Sequence, residues 1–230
     1  MNQNTSVVPV KPDPYIENWR TVLGTASNHL KFVRILNGVG TVTNGSVLLR
    51  APIAVEDGFY KLVGAGACRM LPVVDIQSSI LESTSEQSRW YSPKYYPDID
   101  QFNPRLESAP ILSYILKEDV FAMMNLCQDV LQDRAQGDKY LIALCDKYMT
   151  SMETPLHEKY TMDFNFSIPD GEILIVEGHA LKMALTECSK YHSVAVRVRK
   201  TKYSTTLVLG DSWRACALVS CSVRRRVDGI

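Results

Sequence analysis

The first stretch with a clear apolar rhythm is 16–30. Ile16, Trp19, Val22, Leu23, Ala26 and Leu30 recur at helical intervals there, and Arg20, Asn28 and Lys31 fall off that face. This spacing predicts an amphipathic helix. Short apolar runs follow at 32–36, 41–42 and 47–49, parted by Asn37-Gly38 and Asn44-Gly45. Such dipeptides between β-prone runs predict strands joined by tight turns. Residues 58–70 fit either a short helix or a strand broken by Gly64 and Gly66. Residues 78–93, rich in Ser, Glu and Gln, read as a connection. Residues 95–110, with Pro97, Pro104 and Pro110 and little periodicity, read as a linker.

The second half is more regular. Residues 112–116 read as a strand and 117–131 as a helix, with Val120, Phe121, Met124 and Leu131 on one face. A strand is expected at 140–144, and alternation predicts another over 162–168. After the Pro169-Asp170-Gly171 turn comes a strand over 172–176. A helix over 179–191 turns Leu181, Ala184, Leu185, Cys188 and Tyr191 inward, and strands follow at 193–198, 204–209 and 215–223. The order is a doubled unit, a strand and helix followed by further strands. Short connections favour antiparallel pairing, which puts both helices on one face of the sheet. The first half holds one such unit and a poor copy of a second. The expected class is α+β, with a loose leader at 1–14, a first domain with its linker at 15–105, and a second domain at 106–230.

Composition changes this picture little. The chain has 230 residues, 46% hydrophobic and 22% charged, which suits a soluble protein with a real core. Lys plus Arg and Asp plus Glu balance at 25 each, so any basic surface is offset elsewhere. Cys68, Cys127, Cys145, Cys188, Cys216 and Cys221 include no CxxC pair, and several sit in apolar runs. They read as buried free thiols in a reducing compartment, with no metal site. With no signal-peptide pattern and no long apolar span, a cytoplasmic location and no membrane partner are expected.

Three stretches then resemble the sliding clamp family, the bacterial beta clamp in particular. Gly40-Thr41-Val42-Thr43-Asn44-Gly45-Ser46-Val47-Leu48 is similar to that family's strand ending in Thr-Asp-Gly-His-Arg-Leu. Tyr95-Tyr96-Pro97-Asp98-Ile99-Asp100-Gln101-Phe102-Asn103-Pro104 resembles its linker into the last domain. Residues 173–223 resemble its closing unit, through Gly178-His179-Ala180-Leu181-Lys182-Met183-Ala184-Leu185 and Ala217-Leu218-Val219-Ser220-Cys221-Ser222-Val223. The departures are a length for two domains where bacterial clamps have three, Asn44-Gly45-Ser46-Val47 in place of Asp-Gly-His-Arg, and a last strand without Met-Pro-Met that runs into Arg224-Arg225-Arg226.

The resemblance implies helices inside and antiparallel sheets outside, around a channel for duplex DNA held without reading sequence. Arg20, Lys31, Arg134, Lys139, Lys182 and Lys190 are the cations on or beside the helices that would meet phosphates, although Glu118, Asp119 and Asp129 crowd the third helix. A pocket for short linear motifs of a DNA polymerase and clamp loader is implied at Thr43, Gly45, Val47, Leu48, Pro97, Phe102, Leu218, Val219 and Cys221. These residues are equally expected as core. Two-domain clamps of viruses and eukaryotes close as trimers, so a homotrimer ring is the implied assembly. Arg197, Arg199, Lys200 and Lys202 make a basic hairpin whose plainer reading is a solvated turn.

Catalysis finds little support. His29, His157, His179 and His192 do not pair at metal-ligand spacing, and no HExxH, GxSxG or P-loop occurs. Gly64-Ala65-Gly66 lacks the rest of a dinucleotide loop, and Asp98 and Asp100 fit turn formers. No catalytic residue, cofactor or metal is expected. The rivals are a clamp-fold interaction protein coupling DNA to transcription or to other viral or host factors, and a small enzyme with an unrecognised site.

Overall fold

A computed structural model describes residues 8–9, 14–63, 69–73, 96–99, 109–132, 140–152, 161–163, 168 and 171–225. The chain divides into two compact units, Met1–Gln101 and Phe102–Ile230.

In the first unit β1 is Val8–Pro9 and α1 is Pro14–Gly24. A 3-10 turn follows at Asn28–Leu30, then β2 at Val33–Leu36, β3 at Val39–Thr43, β4 at Val47–Pro52, β5 at Gly58–Val63 and β6 at Arg69–Pro72. Every pair is antiparallel, in the order β1-β6-β5-β2-β3-β4. Pro14 opens α1, where a missing N–H costs nothing. The helix stops at Gly24, short of the expected end. The amides of Thr25 and Ala26 bond three residues back, to Val22 and Leu23, which tightens the last turn. The expected apolar face is buried throughout, from Ile16 and Trp19 to Leu30.

Asn37 and Gly38 both take positive φ, 53° and 68°, as a two-residue turn between right-twisted strands requires. The Asn44 side chain closes the next hairpin by accepting from the amides of Ser46 and Val47, each at 3.0 Å. The ambiguity over 58–70 resolves as two strands. β5 pairs with β6 from Tyr60 opposite Pro72 to Val63 opposite Arg69, and only five residues separate them. The sequence cannot decide this alone, because glycines weaken both periodicities.

The second unit contains β7 (Ile111–Leu116), α2 (Lys117–Gln132), β8 (Leu141–Cys145), β9 (Tyr148–Ser151) and β10 (Thr161–Asp163). It repeats the series as β11 (Glu172–Glu177), α3 (Gly178–Cys188), β12 (Ser193–Lys200), β13 (Thr205–Ser212) and β14 (Ala215–Arg225). The strands pair antiparallel as β7-β12-β13-β14-β11-β8-β9-β10. The two series therefore interlock. The first strand of each pairs with the strand that follows the helix of the other: β7 with β12, and β11 with β8.

Even the junction hydrogen bonds match. Lys117 N–H donates to His192 O at 3.1 Å, and Gly178 N–H donates to Tyr140 O at 3.0 Å. α2 packs along α3, and α3 covers β11, β13 and β14.

The buried stripe of α2 is Val120, Met123, Leu126, Cys127 and Val130. Phe121, expected inside, is 45% exposed, with the Lys117 ammonium 5.9 Å from its ring centre. The run Val120-Phe121-Ala122-Met123-Met124 is apolar on adjoining faces, so its periodicity leaves the phase open. Met124 and Leu131 are half-buried, and Tyr191 lies past the end of α3 and is half-buried too.

Candidate peptide-binding and nucleic-acid surfaces

The first unit gathers Thr43, Gly45, Val47 and Leu48 in one hairpin. Thr43 Oγ1 donates to Val47 O at 2.8 Å and accepts from Gly45 N–H at 3.1 Å, so the turn is fixed from within. Val47 and Leu48 are buried, while Gly45 is exposed with φ 96°. Nearby in sequence to the implied linker site, Pro97 is exposed beside buried Tyr96. The Tyr96 hydroxyl donates to Thr41 O at 3.4 Å, and its ring meets Phe59 edge-on at 5.5 Å. Burial raises the Tyr96 phenol well above its ordinary range, against the pull of Arg34 and Arg50. The 96–99 segment is thereby tied to β3 of its own unit.

In the second unit Leu218 and Val219 are buried and Cys221 is half-buried, all on β14. Side chains alternate along a strand, so Leu218 points to the face opposite Val219 and Cys221. One face of β14 cannot offer all three. Burial pushes the Cys221 thiol up to about 11. Phe102 lies outside the described residues.

The candidate phosphate contacts are less uniform than their sequence positions imply. Arg20 pairs with Glu17 on its own helix at 3.2 Å, and Lys31 is half-buried just before β2. The Lys182 ammonium bonds the Gln128 side chain and ties α3 to α2. Lys190 pairs with Glu187, which is 1% exposed. Arg134 and Lys139 lie outside the described residues. The exposed residues of α2 are Glu118, Phe121, Ala122, Asn125, Asp129 and Gln132, so this helix presents acidic and neutral groups. A charge stripe read helix by helix misses this, because Lys182 and Lys190 are already committed to neighbours.

The other candidates separate as well. His179 is exposed and stacks edge-on against Tyr140 at 4.9 Å, and His192 is exposed at the far end of the α3–β12 connection. Asp98 is exposed, while Asp100 and residues 64–66 lie outside the described residues. Among the described residues no group of three His, Cys, Asp or Glu side chains is placed to hold a metal. Nor is any helix among them long and apolar enough to cross a membrane.

Comparison with solved structures bears on this geometry. The DNA polymerase III beta of Caulobacter crescentus superposes with a TM-score of 0.51 at 11% identity, over 96% of this chain and 68% of that one. The beta subunit from Borrelia burgdorferi, in complex with a natural product, gives 0.51 at 11%, over 96% and 64%. The Helicobacter pylori beta clamp bound to a DNA ligase peptide gives 0.50 at 9%, over 96% and 67%. The chain has the sliding-clamp fold. It spans about two thirds of the length of these clamps. No protein-family model and no curated protein matches it.

Two features of the clamp-fold units escape sequence reasoning. Glu187, three residues before Lys190, looks like half of a solvent-exposed helical pair, yet it is fully buried. The basic hairpin at 197–202 is more than a solvated turn. Arg197 donates to Gly210 O at 2.7 Å, and Lys200 pairs with Glu172 of β11.

Proposed function

We propose that the chain is a DNA sliding clamp, a processivity factor that encircles duplex DNA and tethers a polymerase. One observation carries the reading: the chain follows the fold of bacterial beta clamps over almost its whole length, and its second unit is an interlocked pair of β-α-β-β-β units. The two domains would be 15–105 and 106–230, and three chains would supply the six domains of a closed ring. β7 suits the joint between copies. It is paired on one side only among the described residues, and Ile111, Tyr114 and Leu116 on it are exposed at 43%, 53% and 52%. An unpaired apolar edge is a site for another chain.

A ring is held on DNA by linkage, so individual phosphate contacts need only be weak. This suits Lys182, whose partner Gln128 is neutral, and Lys31 better than Lys190, which is paired with Glu187. Because the Helicobacter pylori clamp takes a DNA ligase peptide, the Thr43–Leu48 hairpin, Pro97, Phe102 and one face of β14 are proposed to take a polymerase or loader peptide. Tethering raises local polymerase concentration without new contacts to DNA.

The acidic outer face of α2 favours a second reading, a clamp-fold protein that recruits factors to DNA without encircling it. Light scattering separates them. A ring gives three times 25.9 kDa, about 78 kDa, and a monomer at micromolar concentration refutes it. Stimulation of a polymerase on long primed templates then distinguishes replication from recruitment alone.

A further inference from the structure

Three cations lie together away from the helices, at one end of the second sheet. Lys202 follows β12, and Arg224 and Arg225 end β14. None of these three is ion-paired among the described residues. Arg225 stands opposite Glu172, and Glu172 pairs with Lys200, which fixes both groups at the same end. Beside them lies an open groove of about 500 Å3 lined by Ala109, Pro110 and residues 198–202.

Tyr203 sits at the adjoining hairpin tip and is 88% exposed. The tip is well built. Thr201 N–H donates to Ser204 O at 2.8 Å, and Thr201 Oγ1 accepts from the amides of Tyr203 and Ser204 at 3.2 and 3.0 Å. The Lys202 ammonium lies 5.5 Å from the Tyr203 ring centre, which leaves the opposite ring face to solvent. Nothing in folding calls for an aromatic ring held this way, since it buries almost no area.

We infer that this groove and the sheet end beside it bind single-stranded nucleic acid, with phosphates on Lys202, Arg224 and Arg225 and an unpaired base stacked on Tyr203. Cations tracking a backbone beside an open aromatic face are what such a strand needs. Bases inside a duplex are already stacked and cannot use that face. A membrane surface is the poorer fit, because interfacial binding scales with buried apolar area and the tip offers a single ring. The site lies within one unit and does not depend on ring closure, so mass measured by light scattering and strand binding fail separately.

The test is fluorescence anisotropy of the full chain with a fluorescein-labelled deoxythymidine oligomer of about 20 nucleotides, against a duplex of equal length. The single strand should bind more tightly. Tyr203→Ala should weaken it roughly tenfold and Tyr203→Phe should restore it, since stacking needs the ring and not the hydroxyl. Lys202→Glu should weaken it and make the slope of log K against log salt shallower by about 0.7. Both side chains are exposed, so circular dichroism should be unchanged. Equal binding of strand and duplex, indifference to Tyr203→Ala, or no oligomer binding would overturn the inference. So would sedimentation with phosphatidylserine-containing vesicles in place of oligomer binding.

Discussion

Replacing Gly178 with alanine tests how the interlocked repeat is held. A Cβ there would lie 1.7 Å from Tyr140 Cε2, 2.3 Å from Cδ2 and 2.4 Å from Cζ. Tyr140 is 1% exposed, its carbonyl accepts from the Gly178 amide, and its ring meets His179. Gly178 starts α3 in ordinary helical backbone, so the glycine is demanded by the ring above it and not by φ. Elsewhere in a helix the change would gain up to about 1 kcal/mol. Here the ring must move within a packed core, at a cost of about 1–3 kcal/mol or more. We expect a net loss of about 1–2 kcal/mol in urea unfolding followed by circular dichroism. The companion Tyr140→Ala should itself cost about 3–5 kcal/mol, and in its background Gly178→Ala should become neutral or stabilising. A loss under about 0.5 kcal/mol for Gly178→Ala, or the same loss in both backgrounds, would refute the steric argument.

The same reasoning predicts that Gly40→Ala destabilises the first unit and shifts tryptophan emission, because its Cβ would meet Trp19 Cη2 at 2.3 Å. Lys190→Ala should cost more than Lys182→Ala, because Lys190 pairs with a buried carboxylate and Lys182 with a neutral amide; equal losses in urea unfolding would contradict this. Burial pushes the Cys127 thiol from 9.0 up to about 12, so the native state holds this proton more tightly than the unfolded chain. That contribution is complete below the unfolded value and is lost as pH rises toward the folded one. The urea midpoint of wild type should therefore fall more steeply than that of Cys127→Ala between about pH 9 and pH 11, and parallel curves would contradict it.

The parts of this fold that were legible in the sequence are those where one signal acts alone. Asn37-Gly38 announces its turn because both positions need positive φ, and α1 announces its face because apolar residues occupy one stripe only. The class and the doubled unit follow from element order. What pairs with what does not, since nothing local links β7 to β12 or β11 to β8. Phe121 was misread because apolar residues surround it on adjoining faces. Glu187 and Lys190 show why cations are harder to place than core: spacing reveals that two charges are neighbours but not that one is buried. Gly178 was legible as part of a family segment, while its reason, the Tyr140 ring, comes from far along the chain. Leu218, Val219 and Cys221 follow one another closely enough to suggest a shared wall, yet the strand pleat divides them.

Electron microscopy of the full chain in solution should show closed three-fold rings with six similar lobes and an opening wide enough for duplex DNA. Compact single particles, or assemblies without an opening, would contradict the proposed ring.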